Sequence, residues 1–194
     1  MMFRLTLKTD PRWAKLAEEH PSEILTDHAW CEQKAASTAI SLIVQYSDYP
    51  ELVAKMSELA REEMEHFSRV HEFIRKRGYS LGRERKDEYV NRLMQLIRKG
   101  EGRITQLLDR LLFAAIIEAR SCERFRLLSE SIQDSELAAF YRELMESEAG
   151  HYTLFITLAR DIAGRDVADA RWQDFLDAED EIIRDFGDKV SIHG

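Results

Sequence analysis

Four long segments of this chain each carry an apolar stripe at steps of three and four residues, the pattern of a helix with one buried face. The first reads Glu32, Ala36, Ala39, Ile43, Tyr46, and the second Leu52, Met56, Leu59, Glu63, His66, Val70, Phe73. The third is Leu108, Leu111, Ala115, Glu118, Cys122, Phe125. The fourth is Leu137, Tyr141, Leu144, Glu148, His151, Phe155, Leu158, Ile162. Every stripe is apolar except at one level, where carboxylates and imidazoles interrupt it. A buried carboxylate is strongly disfavoured unless it is paired or bound to a metal. Four helices carrying the same unfavourable group at one level require a common cause.

Punctuation along the chain supports this division. Eight Gly and three Pro in 194 residues leave room for long uninterrupted elements. Pro21 opens a helical pattern ending near Tyr46 to Tyr49, and Pro50 opens a second that runs to Gly78. A turn-rich stretch, 78–82, leads to a short helical segment expected over 86–99, which Gly100 and Gly102 break. A third long helix is expected over 103–130. Asp134 or Ser135 can cap a fourth that ends near Gly164, and an acidic fifth follows over 167–186. No strand-like alternation competes, so the fold class is all-α, a four-helix bundle with a short helical insert between helices two and three and an additional C-terminal helix. Residues 1–194 are expected to form a single domain.

The spacing Glu-x-x-His occurs at Glu63 to His66 and again at Glu148 to His151, and residues three apart on a helix share a face. Glu32 precedes Glu63 by 31 positions and Glu118 precedes Glu148 by 30, while Glu63 to Glu148 and His66 to His151 are both 85. The chain therefore reads as two helical hairpins, each giving one Glu and then Glu-x-x-His. Pairing the hairpins would gather four Glu and two His at mid-bundle. That donor set resembles the ferritin-like di-iron carboxylate proteins. Oxygen donors with two imidazoles suit Fe or Mn, and the lack of thiolates disfavours a structural zinc site.

Neighbouring residues rank lower. Glu62 and Glu65 point off the core face. Glu123, the rival to Glu118, falls outside the third stripe. Cys31 and Cys122 suit small core positions, and two cysteines are too few for a disulfide framework. His20, His28, His71 and His193 have no partner at ligand spacing and read as structural or surface residues. Gly150, inside a helix, either leaves room near the metals or allows close packing. Ala36 and Ala39 either leave space for an apolar tail or pack helices closely.

Four segments add a more specific likeness. Leu25-Thr26-Asp27-His28-Ala29-Trp30-Cys31-Glu32, Glu62-Glu63-Met64-Glu65-His66-Phe67, Arg77-Gly78-Tyr79 and Ser147-Glu148-Ala149-Gly150-His151-Tyr152 resemble the bacterial MiaE family of tRNA 2-methylthio-N6-isopentenyladenosine hydroxylases. The resemblance implies a monooxygenase that hydroxylates the isopentenyl group at tRNA position 37, with two iron ions, dioxygen as co-substrate and an external electron-donor reductase. It implies iron ligation, and so catalysis, by Glu32, Glu63, His66, Glu118, Glu148 and His151. The chain departs from the wider ferritin-like pattern in one respect. Glu62 and Ser147 stand just before the ligand glutamates, where many di-iron oxygenases have Asp. Sequence leaves the residues behind the ligands unassigned for that reason.

Charge bears on the partner. The net charge is −8, but residues 69–103 hold eleven Lys/Arg against five Asp/Glu, and residues 161–188 hold three against ten. Such asymmetry points to one polyanion-facing side on an otherwise acidic protein. With the resemblance, Arg75, Lys76, Arg77, Arg83, Arg85 and Lys86 become the expected tRNA contacts. They begin about two turns beyond His66, ~12 Å at the helical rise, which puts them at one end of the bundle. The rival reading of these cations is solubilisation of the turn or pairing with the acidic last helix. The rival functions are a ferroxidase or iron-storage protein, a small-molecule oxidase and a purely structural module. The first ten residues have no secretory pattern and no apolar run is long enough to cross a bilayer, so the expected location is cytoplasmic, without membrane association.

Overall fold

The computed structural model describes residues 2–186 and Ile192, and His193 lies outside the described residues. After a 3-10 turn at Met2–Arg4, the order is α1 Arg12–Glu19, α2 Pro21–Gln45, α3 Pro50–Lys76, α4 Glu88–Met94, α5 Arg103–Ser131, α6 Ser135–Ala163 and α7 Arg165–Phe186. No strand occurs among the described residues. The four long helices start where the turn residues put them. Pro21 and Pro50 occupy first-turn positions of α2 and α3, where a missing N–H costs nothing. The Asp134 carboxylate accepts from the Leu137 N–H at 3.0 Å and caps α6. Gly78 and Gly164 follow α3 and α6 with φ of 73° and 84°, which glycine adopts at no steric cost.

Two expectations change. The insert helix spans only Glu88–Met94 instead of 86–99, because Asp87 caps it by accepting from Val90 and turns replace the helix from Gln95 onward. The eight-residue α1 has no counterpart in the sequence reading. It buries Trp13, Ala14 and Ala17 but is too short to show a sustained stripe.

The described residues pack as two compact units. One comprises residues 19–86 and Ile192, and the other residues 2–18 and 87–186. In the first, α2 and α3 form an antiparallel hairpin across a tight turn. The core is Ile24, Leu25, Ala29, Ala36, Ala39 and Leu42 from α2, against Leu52, Met56, Leu59, Val70 and Ile74 from α3. The stripe shifts by one residue at its ends: Leu42 and Ile74 are buried where Ile43 and Phe73 were expected, and those two are half-buried.

In the second unit α5 is central. It packs on α6, α7, α4 and the N-terminal turn. Eighteen of its twenty-nine residues are buried, far more than one helical face. Its charged residues are therefore satisfied internally. Asp109 accepts from the backbone and guanidinium of Arg98 and from Arg171 of α7, all at 2.8–3.3 Å. Arg120, fully buried, donates to Glu179 of α7, to Glu123 and to the Leu7 carbonyl. Burial alone would lower its pKa, but the facing Glu179, Tyr89 and Glu123 raise it. Nearby Arg124 lies over the Trp13 ring at 4.6 Å, and burial brings it down to about 10.

Candidate metal centre

Each unit brings one Glu and one Glu-x-x-His pair together. On the α2–α3 hairpin, Glu32, Glu63 and His66 each offer a ligand atom, and these lie within 4.8 Å of one another. On the α5–α6 hairpin, Glu118, Glu148 and His151 do the same within the same limit. All six side chains are buried, none more than 5% exposed. The helical phase explains the placement: Glu63 and His66 sit between Leu59 and Val70 on the buried face of α3, and Glu148 and His151 between Leu144 and Phe155 on that of α6.

The two triads have matching internal geometry. His66 Nδ1 stands 3.4 Å from Glu63 Oε2 and 3.7 Å from Glu32 Oε2. His151 Nδ1 stands 3.4 Å from Glu148 Oε2. These separations exceed a normal hydrogen bond, yet suit donors sharing one small cation, which at bond lengths of roughly 2.0–2.2 Å stand about 3 Å apart. The donor set of each triad, two carboxylates and an imidazole, fits a divalent transition metal. In both, the ring presents Nδ1 to the carboxylates and turns Nε2 away.

Beside each triad histidine stands the residue just before its glutamate partner. Glu62 Oε1 lies 3.9 Å from His66 Nε2, and Ser147 Oγ lies 3.5 Å from His151 Nε2. Glu62 is thus a half-exposed surface charge, as expected, but one that faces His66. His28 takes the structural rather than the surface one of its two readings. It is fully buried, and its Nε2 lies 2.6 Å from Glu32 Oε1 on the next turn of α2. His28 and Glu32 stand four residues apart, a step outside the Glu-x-x-His pattern. His20 is exposed, and His71 stacks on Phe67 at 6.1 Å between centroids.

The lower-ranked candidates separate clearly. The Glu123 carboxylate is buried but engaged by the Thr9 N–H and hydroxyl and by Arg120. Cys122 donates its thiol proton to the Met145 carbonyl at 3.0 Å, and burial, reinforced by Glu148, pushes its pKa up to about 12. The thiol is thus engaged by the backbone and is not part of either triad. Gly150 is exposed, and a Cβ there would meet nothing within 4 Å. Close packing does not explain it. Ala36 and Ala39 are 2% and 1% exposed.

The basic residues are all exposed or half-exposed within the α2–α3 unit, but the loop that carries most of them lies along α2, not beyond the end of the hairpin. Gly82 accepts from the Trp30 indole N–H at 2.9 Å and donates to Thr26 Oγ1 at 3.4 Å. A Cβ at Gly82 would meet Thr26 Cγ2 at 3.0 Å, a tight contact that marks how closely the loop approaches α2. Arg85 bonds the Glu23 carboxylate at 3.0 Å, and Lys34 reaches Glu84 at 3.1 Å. Trp30 precedes Glu32 by two residues, about 200° around a helix, so the loop lies on the side of α2 away from the triad. Arg77 lies over the Phe73 ring at 4.9 Å. Of the wider basic stretch, Arg92 pairs with Asp185 of the acidic last helix at 3.0 Å and Arg98 with buried Asp109. Pairing with α7 thus holds for Arg92, outside the six expected contacts.

Known proteins resemble this chain along its length. The family model described as tRNA-(MS[2]IO[6]A)-hydroxylase (MiaE) matches residues 2–194. A Pseudomonas putida protein named tRNA 2-(methylsulfanyl)-N(6)-isopentenyladenosine(37) hydroxylase is 39% identical over 187 residues, 95% of this chain and 89% of its own length. A Salmonella typhimurium protein of the same name is 30% identical over 82% of this chain and 75% of its own. Among solved structures, "Protein 43 with aldehyde deformylating oxygenase activity from Synechococcus" superposes with a TM-score of 0.92 at 37% identity, covering 98% of this chain and 95% of that one. This likeness gives the chain its ferritin-like fold class. With a buried carboxylate–histidine triad on each of two hairpins and a family match across its length, the chain belongs to the MiaE family of tRNA hydroxylases.

Proposed function

We propose that the two triads act together as one di-iron centre, with Glu32, Glu63 and His66 holding one ion and Glu118, Glu148 and His151 the other. The observation that carries this is the repetition: the same three donor types, in the same order and burial, on both hairpins of a MiaE-family chain. Residues 1–194 then form one functional domain, since neither unit is complete alone. Iron bound there would supply activation of dioxygen, with one oxygen atom inserted into a C–H bond and the other leaving as water after two electrons arrive from an external reductase.

The chain's own residues bind, orient and exclude water. Four carboxylates offset the formal charge of two divalent ions. The apolar residues above and below each triad, among them Leu59, Val70, Leu144 and Phe155, keep bulk water from the donors. The substrate is the isopentenyl group of 2-methylthio-N6-isopentenyladenosine at position 37 of tRNA, the activity named for the two relatives. Phosphate contacts fall to Arg75, Lys76, Arg77, Arg83 and Lys86, with Arg85 divided between RNA and its bond to Glu23. The Synechococcus relative is described with a different oxygenase activity, aldehyde deformylating, on the same fold, so the fold alone does not fix the substrate.

The test is metal stoichiometry. Protein loaded anaerobically with ferrous ion should hold about two irons per chain, and Glu63→Ala or His66→Ala should each remove at least one. Wild-type iron content in both variants would overturn the assignment.

A further inference from the structure

The α2–α3 hairpin carries a row of three aromatic rings that metal binding does not use. Trp30 of α2 and Phe67 of α3 meet across the two helices with ring centroids 6.5 Å apart and planes tilted by 55°. His71, one turn further along α3, stacks on Phe67 at 6.1 Å with planes 19° apart. Both pairs lie within the separations at which aromatic rings attract each other. All three rings are half-buried, and none belongs to the buried core of the hairpin, which side chains such as Leu25, Met56 and Val70 build.

Cations border the row. Arg75 is exposed and stands one turn beyond His71, on the same side of α3. Lys34 stands one turn beyond Trp30 and reaches Glu84 of the 78–86 loop at 3.1 Å. The Trp30 indole N–H donates to the Gly82 carbonyl at 2.9 Å, which keeps the exposed Arg83 next to the rings. The row also begins close to the donors: Phe67 follows Glu63 by one helical turn, about 6 Å along the axis.

Ring faces edged with cations match one kind of ligand. Unpaired RNA bases stack on Trp, Phe and His side chains while the adjoining phosphates go to Lys and Arg. An apolar peptide would use the rings but gain nothing from Arg75 and Arg83, and a duplex would use the cations but keep its base faces covered. We propose that Trp30, Phe67 and His71 form a stacking platform for an unpaired base of the tRNA anticodon loop, which sets that loop beside the Glu32–Glu63–His66 triad. The inference rests on the tRNA reading above and adds ring contacts to the phosphate contacts given there.

The test titrates anaerobically iron-loaded protein with labelled tRNA bearing 2-methylthio-N6-isopentenyladenosine at several salt concentrations. Affinity is read from fluorescence anisotropy of the label, and tryptophan emission is followed in parallel after correction for RNA absorbance. Phe67→Leu keeps an apolar side chain but no ring face. It should weaken binding about tenfold and leave the salt dependence as in wild type, because no phosphate contact is lost. Phe67→Tyr keeps the ring and should bind within about twofold of wild type, a split that a packing role alone would not produce. Trp30 is half-buried, whereas Trp13 and Trp172 are buried, so tryptophan emission should fall as tRNA binds. That fall should vanish in Trp30→Phe, which keeps a ring and should bind within about threefold of wild type. Should Phe67→Leu lose iron or helicity, the emission of wild type against Trp30→Phe decides. Wild-type affinity in a folded, iron-loaded Phe67→Leu would overturn the platform, as would an equal loss in Phe67→Tyr or a tryptophan emission unmoved by bound tRNA. Each of these leaves the tRNA reading standing. Wild-type protein that fails to bind this tRNA would overturn both.

Discussion

Glu118 and Glu123 are both buried on α5, five positions apart, and their partners decide their roles. Glu118 converges with Glu148 and His151, whereas Glu123 is occupied by Thr9 and Arg120. Glu118→Ala should therefore abolish normal metal loading with little loss of helicity. Glu123→Ala should keep both irons but lower the unfolding free energy by about 2 kcal/mol, since it removes hydrogen bonds to a charged group. Iron analysis and urea denaturation separate the two outcomes. All six triad residues were legible from sequence because their spacing falls in phase with the apolar stripes. The burial of Glu123 was not, because a single-stripe reading cannot describe a helix covered on most sides. The contact of His28 with Glu32 was missed because a lone histidine without ligand spacing carries no signal until its carboxylate partner is seen.

At the scale of elements, sequence read the starts of the long helices well, from Pro21, Pro50 and Asp134, and the later contacts of α5 poorly. Asp109 shows why: only the folded chain brings Arg98 and Arg171 to it from 11 and 62 residues away. Burial would raise the Asp109 pKa, but its bonds to the two arginines lower it overall. A depressed carboxyl pKa contributes stability above its unfolded value, near 3.8, and loses it as pH falls through the lower folded value. The stability gap between wild type and Asp109→Asn should thus be about 3 kcal/mol at pH 7 and shrink below pH ~4, read from urea midpoints. A constant gap across that range would contradict the ion-pair account. The 78–86 loop makes a second element-scale case. Arg85 is anchored to Glu23, so it is not a clean probe of RNA contact. Arg83→Glu with Lys86→Glu leaves that anchor and the Trp30–Gly82 bond in place. This double variant should weaken tRNA binding at least tenfold at near-physiological salt and reduce its salt dependence, with iron content unchanged. Unaltered affinity would remove the loop from the interface.

Across the whole molecule, an acidic chain must act on a polyanion. The charge distribution reconciles the two: the acidic excess collects on α7, where it partly neutralises Arg92 and Arg171, while the cations of residues 75–86 stay at the surface. Among the described residues no helix is long and apolar enough to cross a membrane. Family membership directs the chemistry to tRNA. That membership matters because a relative of equal similarity is described with another oxygenase activity. The most direct measurement supplies iron-loaded protein with a chemical or enzymatic reductant, 18O2 and tRNA bearing 2-methylthio-N6-isopentenyladenosine, then analyses the nucleosides by mass spectrometry. The account predicts a modified adenosine heavier by one 18O atom, absent with Glu63→Ala or when the tRNA lacks the isopentenyl group. An unchanged nucleoside from protein holding two irons per chain, or an oxygen atom drawn from water, would contradict it.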